Sequence, residues 1–129
     1  MAARDCTGST PESTQELIDA RVIQGLRELG GDEDPGLLVE LIDLYLADAP
    51  QRMGEIRQAL TSGDWKLLER AAHTLKSASA NIGALELSSI CKELEAKARS
   101  CEAQVCETLC ERSAEQLVRV ETALRVLRA

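Results

Sequence analysis

SGDWKLLERAAHTLKSASANIG, residues 62–83, holds the start and the stop of one helix and the only histidine in the chain. Gly63 closes whatever precedes it, and Asp64 supplies a side-chain oxygen for the free amides of a new helix. Leu68, Ala71, Ala72, Leu75, Ala78, Ser79 and Ile82 then recur at three- and four-residue steps, the period of a helix with one buried face. Gly83 ends the run. A capped helix of this length, with small and aliphatic residues on its inner stripe, needs other helices to cover that stripe.

The flanking sequence supplies them. Upstream, Asp34-Pro35 reads as an N-cap followed by proline in the first turn. From there Leu38, Leu41, Ile42, Tyr45, Ala49, Met53, Ile56 and Leu60 keep the helical period to Ser62-Gly63, with Pro50 expected to kink or split the run. Further upstream, Asp19 caps a short helix over about residues 20–29. Ile18 and Ile23 are spaced for a hydrophobic staple across its start, and Gly30-Gly31 stops it. Downstream, one helix carries Leu87, Ile90, Cys91, Leu94 and Ala98. Another carries Val105, Leu109, Leu117, Val120, Leu124 and Leu127. No Gly or Pro separates these two, yet a single helix of about 40 residues is far longer than globular domains use, so a turn is expected near Arg99 to Glu102. Residues 1–14, with Gly, Ser, Thr, Pro and no apolar period, read as a flexible tail or linker remnant, leaving 15–129 as the domain. The fold class is therefore all-α: an antiparallel four-helix bundle with a short additional N-terminal helix.

Composition agrees. The chain has 129 residues, 44% hydrophobic, with no Phe, one Trp and one Tyr. Aliphatic and small side chains suit close helix packing, and strand-favouring residues are scarce. Fifteen basic against 22 acidic residues leave a net charge of −7, the wrong sign for binding a phosphate backbone, so no nucleic-acid partner is expected. No stretch approaches the roughly 18 consecutive apolar residues of a membrane span, so no membrane insertion is expected. The first residues lack the apolar core of a secretory signal, which makes the cytoplasm the expected compartment. Cys6, Cys91, Cys101, Cys106 and Cys110 are odd in number and form no CxxC pair, so they read as small buried hydrophobes and no metal is assigned.

His73 bears on function. With Leu68 set at zero and about 100° per residue, Ala72, Leu75, Ser79 and Ile82 fall within about 40° of the core direction, while His73 lies near 140° and faces solvent. Glu69, Lys76 and Ser77 neighbour it at i−4, i+3 and i+4. Ser77 and Ala80 are small enough for a partner to approach, and Lys76 places an ammonium one turn away. Imidazole offers a neutral nucleophilic nitrogen near neutral pH. No carboxylate or second base is evident to build a hydrolytic triad with it. By geometry alone, a lone exposed histidine is most often just a solvated side chain.

The segment Ala71-Ala72-His73-Thr74-Leu75-Lys76-Ser77-Ala78-Ser79-Ala80-Asn81-Ile82-Gly83-Ala84 resembles the signature of bacterial histidine phosphotransfer domains. That signature has a His, Leu two on, Lys three on, Gly or Ser four on, and Gly ten on; here these are His73, Leu75, Lys76, Ser77 and Gly83. Leu29-Gly30-Gly31-Asp32, Leu37 to Pro50 and Leu87 to Glu95 also look like the family. The resemblance spans about residues 17 to 99 and reaches the last helix only through its apolar period. It implies a four-helix bundle in which His73 accepts a phosphoryl group from a receiver-domain phosphoaspartate and passes it to another receiver. Lys76 would steady the phosphoryl oxygens, Ser77 and Gly83 would be small-residue and turn positions, and Glu95, where many members carry Gln, would lie near the phosphorylation face.

The implied partners are response-regulator receiver domains and a hybrid sensor kinase, with the chain itself a monomer. Mg²⁺ is expected on the receiver, and no cofactor on this chain. The sequence has no GxxxxGK[ST] loop and no ATP-binding segment, so kinase activity of its own is not expected. Two other readings stand beside this one. The first is a receiver-binding scaffold that relays nothing. The second is a helical adaptor that dimerises through an apolar seam, for which Leu46 and Val118 are the candidates.

Overall fold

A computed structural model describes residues 17–129; the tail assigned to residues 1–14 and Cys6 lie outside it. Five helices follow one another: α1 (Ala20–Gly30), α2 (Leu37–Ser62), α3 (Trp65–Asn81), α4 (Leu85–Arg99) and α5 (Ala103–Arg128). No strand occurs among the described residues. Helices α2 to α5 each pack on their sequence neighbours, and α2 closes the ring against α5, which makes the antiparallel bundle; α1 lies against α2.

Side-chain caps account for two of the five helix starts. Asp19 accepts the amide of Arg21 at the start of α1, and Ile18 and Ile23 are both buried there. Asp64 accepts the amide of Leu67 at the start of α3. One expectation on α2 needs correction, and another is narrowed. Asp34-Pro35 does not begin the helix: the Leu37 amide donates to the Asp34 carbonyl at 3.1 Å. Asp34 to Leu37 is thus a turn in which Pro35 pre-sets the second residue, and Gly36 caps α2 without a side-chain bond. Pro50 does not split α2, which runs unbroken through it. Proline in a helix interior costs about 3 kcal/mol, but Ala49 and Met53 on either side are buried in the core. Burying several such side chains outweighs that cost.

The inner faces form one apolar core that includes Ile42, Ile56, Leu68, Leu75, Leu94 and Leu124. One polar pair sits inside it: Tyr45 Oη and Ser79 Oγ lie 2.9 Å apart, joining α2 to α3. Burial pushes the Tyr45 phenol well above its usual range, so the pair stays neutral at any working pH. Cys91, Cys106 and Cys110 are buried as expected, and burial pushes the Cys91 thiol up to about 12. Cys101 breaks the pattern because it is exposed.

Cys101 sits in the turn that separates α4 from α5, where the sequence placed it, and it has φ 56, the one positive φ on a non-glycine residue among those described. A side chain there strains the left-handed backbone by roughly 1 kcal/mol or more. Cys101→Gly should therefore raise stability by up to about 1 kcal/mol, seen as a higher urea midpoint with an unchanged slope.

Candidate functional site

Antiparallel packing of α3 and α4 builds the site. His73 lies eight residues before the end of α3 and Glu95 ten residues after the start of α4, about 12 and 15 Å along their axes from the shared turn. The two side chains are therefore level. The connection is held where Ser88 Oγ donates to the Lys76 carbonyl at 2.9 Å.

His73 is exposed, with 57% of its side chain open, as the helical wheel places it. Its Nδ1 lies 3.0 Å from Glu95 Oε2. Lys76 Nζ donates to the other oxygen, Oε1, at 2.8 Å. Arg99 Nη2 donates to Oε2 at 3.2 Å, and Arg99 Nε donates to Glu69 Oε2 at 2.7 Å. Glu95 is the hub of this network, and only 12% of its side chain is exposed. The resemblance puts Glu95 near the phosphorylation face, and there it is hydrogen-bonded to His73. Glu95 comes from the next helix, out of view of any wheel drawn on α3.

The chemistry of the pair follows from the hub. Burial pushes the Glu95 carboxyl up, but hydrogen bonds and charge from Lys76 and His73 outweigh it and hold the carboxyl below its ordinary value of 4.5. An ionised carboxylate only accepts hydrogen bonds, so Nδ1 of His73 must carry the proton. That fixes one tautomer and leaves Nε2 with its lone pair as the nitrogen available for attack. Two cations, Lys76 and Arg99, face two carboxylates, Glu69 and Glu95, so the site's attraction for an anion is local rather than the field of a basic patch.

The depressed Glu95 carboxyl has a testable linkage. The unfolded chain binds a proton at this position near pH 4.5 and the folded chain only at lower pH, so the carboxylate stabilises the fold above that value, and the contribution fades as pH falls through the folded value. Glu95→Gln should thus lower stability at about pH 7, and the deficit should shrink by about pH 3, read by denaturant unfolding at both.

Ser77 is exposed one turn beyond His73, as placed by the sequence. Gly83 is not beside His73, because the eight residues of helical rise to the end of α3 already span about 12 Å and Gly83 lies beyond that end. It turns the chain with φ 88, and its carbonyl accepts the Asp19 amide at 2.8 Å. Arg99 was missed in the sequence reading, although its i,i+4 spacing from Glu95 was the available signal. The two residues suggested for an apolar seam are placed differently. Leu46 packs on the core, while Val118 is exposed.

An all-helical bundle with one exposed imidazole, held by a carboxylate and flanked by a lysine, fits a phosphocarrier class of protein. Comparison with known proteins agrees. The Hpt domain family model matches residues 40–129. Histidine-containing phosphotransfer protein 4 of Arabidopsis thaliana is 30% identical over 113 residues, covering 86% of this chain and 85% of its own. The crystal structure of histidine-containing phosphotransfer protein B from Pseudomonas aeruginosa PAO1 superposes with a TM-score of 0.79 at 34% identity, over 87% of this chain and 94% of that one. A maize histidine-containing phosphotransfer protein shares the fold, with a TM-score of 0.78 at 21% identity over 88% and 84% of the two chains.

The chain belongs to the Hpt domain family: it is a phosphotransfer module of the phosphorelay type. Among the described residues no helix is long and apolar enough to cross a membrane.

Proposed function

We propose that His73 Nε2 accepts a phosphoryl group from the phosphoaspartate of a receiver domain and returns it to the aspartate of another. The observation that carries this reading is the commitment of Nδ1 to Glu95 at 3.0 Å, on an exposed ring beside Lys76. The Nε2 lone pair forms the N–P bond as the P–O bond to the donor aspartate breaks, and the aspartate leaves as a carboxylate. The ring then carries a positive charge with its proton still on Nδ1, and Glu95 stabilises that charge across the hydrogen bond. Nothing is consumed, so the step runs backwards onto an acceptor aspartate.

Lys76 is the mobile cation. It turns from Glu95 towards the phosphoryl oxygens and offsets the charge that builds on them. Ser77 leaves room for the incoming active site. Transfer of this kind depends on in-line positioning and charge compensation more than on protein nucleophiles, which suits a chain with one imidazole and one lysine. The receiver is expected to bring Mg²⁺, and the hybrid sensor kinase that charges the relay would supply the ATP chemistry. A monomer is sufficient, since all the groups named lie on two adjacent helices of one chain.

The test is transfer from a panel of phosphorylated receiver domains to the purified chain. The expected result is acid-labile, alkali-stable label on Nε2 of His73 with at least one donor, chased off by a second receiver. Label on another residue would overturn the reading. Receivers that bind without labelling would leave a scaffold instead.

A further inference from the structure

We propose that Arg99 is a positioning residue for His73, acting through Glu95. This rests on the reading that His73 Nε2 takes the phosphoryl group. The two oxygens of Glu95 are used differently. Oε1 faces Lys76 at 2.8 Å, while Oε2 is shared by His73 Nδ1 at 3.0 Å and Arg99 Nη2 at 3.2 Å. Arg99 does not hang free on its far side: its Nε is bound to Glu69 Oε2 at 2.7 Å, one helical turn before His73. The guanidinium thus grips one carboxylate on α3 and one on α4, directly behind the hydrogen bond that orients the imidazole.

The two cations suit different tasks. Lysine carries a compact charge on a flexible stem, whereas arginine presents a rigid fork that holds two acceptors at fixed geometry. When Lys76 leaves Glu95 for the phosphoryl oxygens, Oε1 loses its partner and the carboxylate is free to rotate. Arg99, pinned by Glu69, keeps Oε2 on Nδ1–H throughout. It also keeps one positive charge against Glu95 while a phosphoryl group sits on the neighbouring ring. Without it, a half-exposed imidazole would sample the Nε2–H tautomer, whose lone pair sits on Nδ1 and leaves none on Nε2 for the attack.

The experiment is ¹⁵N NMR of the His73 ring in the unphosphorylated chain, paired with the rate of transfer from a receiver that labels wild type. In Arg99→Ala the Nδ1–H tautomer should lose population and transfer should slow by about two- to fivefold, the range an exposed ion pair supports. The melting temperature should stay close to wild type. Arg99→Lys should fall between the two, since one ammonium cannot hold both carboxylates. Glu69→Gln should reproduce part of the loss and add nothing in the double variant, because both act through one linkage.

An unchanged tautomer pattern in Arg99→Ala overturns the proposal, even with slower transfer, which would place Arg99 on the docking face instead. Simple addition of the two single effects overturns it as well. The tautomer pattern needs no phosphoryl donor, so it judges Arg99 separately from the phosphotransfer reading. If wild type accepts no label, that reading fails while the tautomer result still stands.

Discussion

A His73→Gln variant is expected to take no label from any phosphorylated receiver while keeping its fold, its melting temperature and its binding to receivers. Glutamine has an amide that can donate towards Glu95 but no nitrogen lone pair able to form an N–P bond. The effect on transfer is therefore a loss to background rather than a slowing. The effect on stability should stay within about 0.5 kcal/mol, because the position is exposed and substitutions at such sites rarely do more. Measuring label, melting and receiver binding on the same preparation separates the outcomes. Full label on the variant would mean that the nucleophile lies elsewhere; lost label together with lost helicity would make the comparison uninformative about chemistry, and His73→Ala and His73→Asn would then decide it.

The second large effect is on stability and falls at Gly83. Its φ of 88 lies where side chains are strained, and a Cβ would stand 3.2 Å from both the Asp19 carbonyl oxygen and Val22 Cβ. Its carbonyl also holds the amide that starts α1. Gly83→Ala should cost about 2–4 kcal/mol, from backbone strain together with a contact that α1 must move to relieve. For a domain of this size that lowers the melting temperature by roughly 10 °C. Transfer at low temperature should survive, since Gly83 lies beyond the end of α3, which is about 12 Å along the axis from His73. Faster hydrogen exchange of the Asp19 amide would show that the α1 anchor has loosened. A variant as stable as wild type but inactive would assign Gly83 to the site rather than to the fold.

The contrast between these two positions shows what a family signature compresses. His73, Lys76 and Gly83 stand together in one sequence pattern, yet the folded chain uses the first two at the surface and the third to join α3, α4 and α1. Spacing along a helix cannot tell these uses apart, because the close approach at Gly83 involves residues more than sixty positions earlier in the chain.

Local chemistry determined a good deal. Asp19 and Asp64 as caps, Gly63 and Gly83 as stops, the inward stripe from Leu68 to Ile82 and the outward angle of His73 were all legible, because each depends on residues within a turn or two of one another. The break near Cys101 was legible from length alone, though not its left-handed backbone. One local signal misled: Asp34-Pro35, where the same pair that suits a helix start also suits a turn; Pro50 did not split α2, because the core on either side outweighs its cost.

The family resemblance put Glu95 near the phosphorylation face, but only the tertiary structure decided that it is the hydrogen-bond partner of His73. Glu95 is twenty-two residues away and meets the imidazole because α3 and α4 run antiparallel at a matched height, with Lys76 and Arg99 closing on the same carboxylate. The sequence by itself placed a nucleophile in water beside a cation. Packing placed a buried carboxylate behind it, and that carboxylate, by accepting the Nδ1 proton, determines which nitrogen can react.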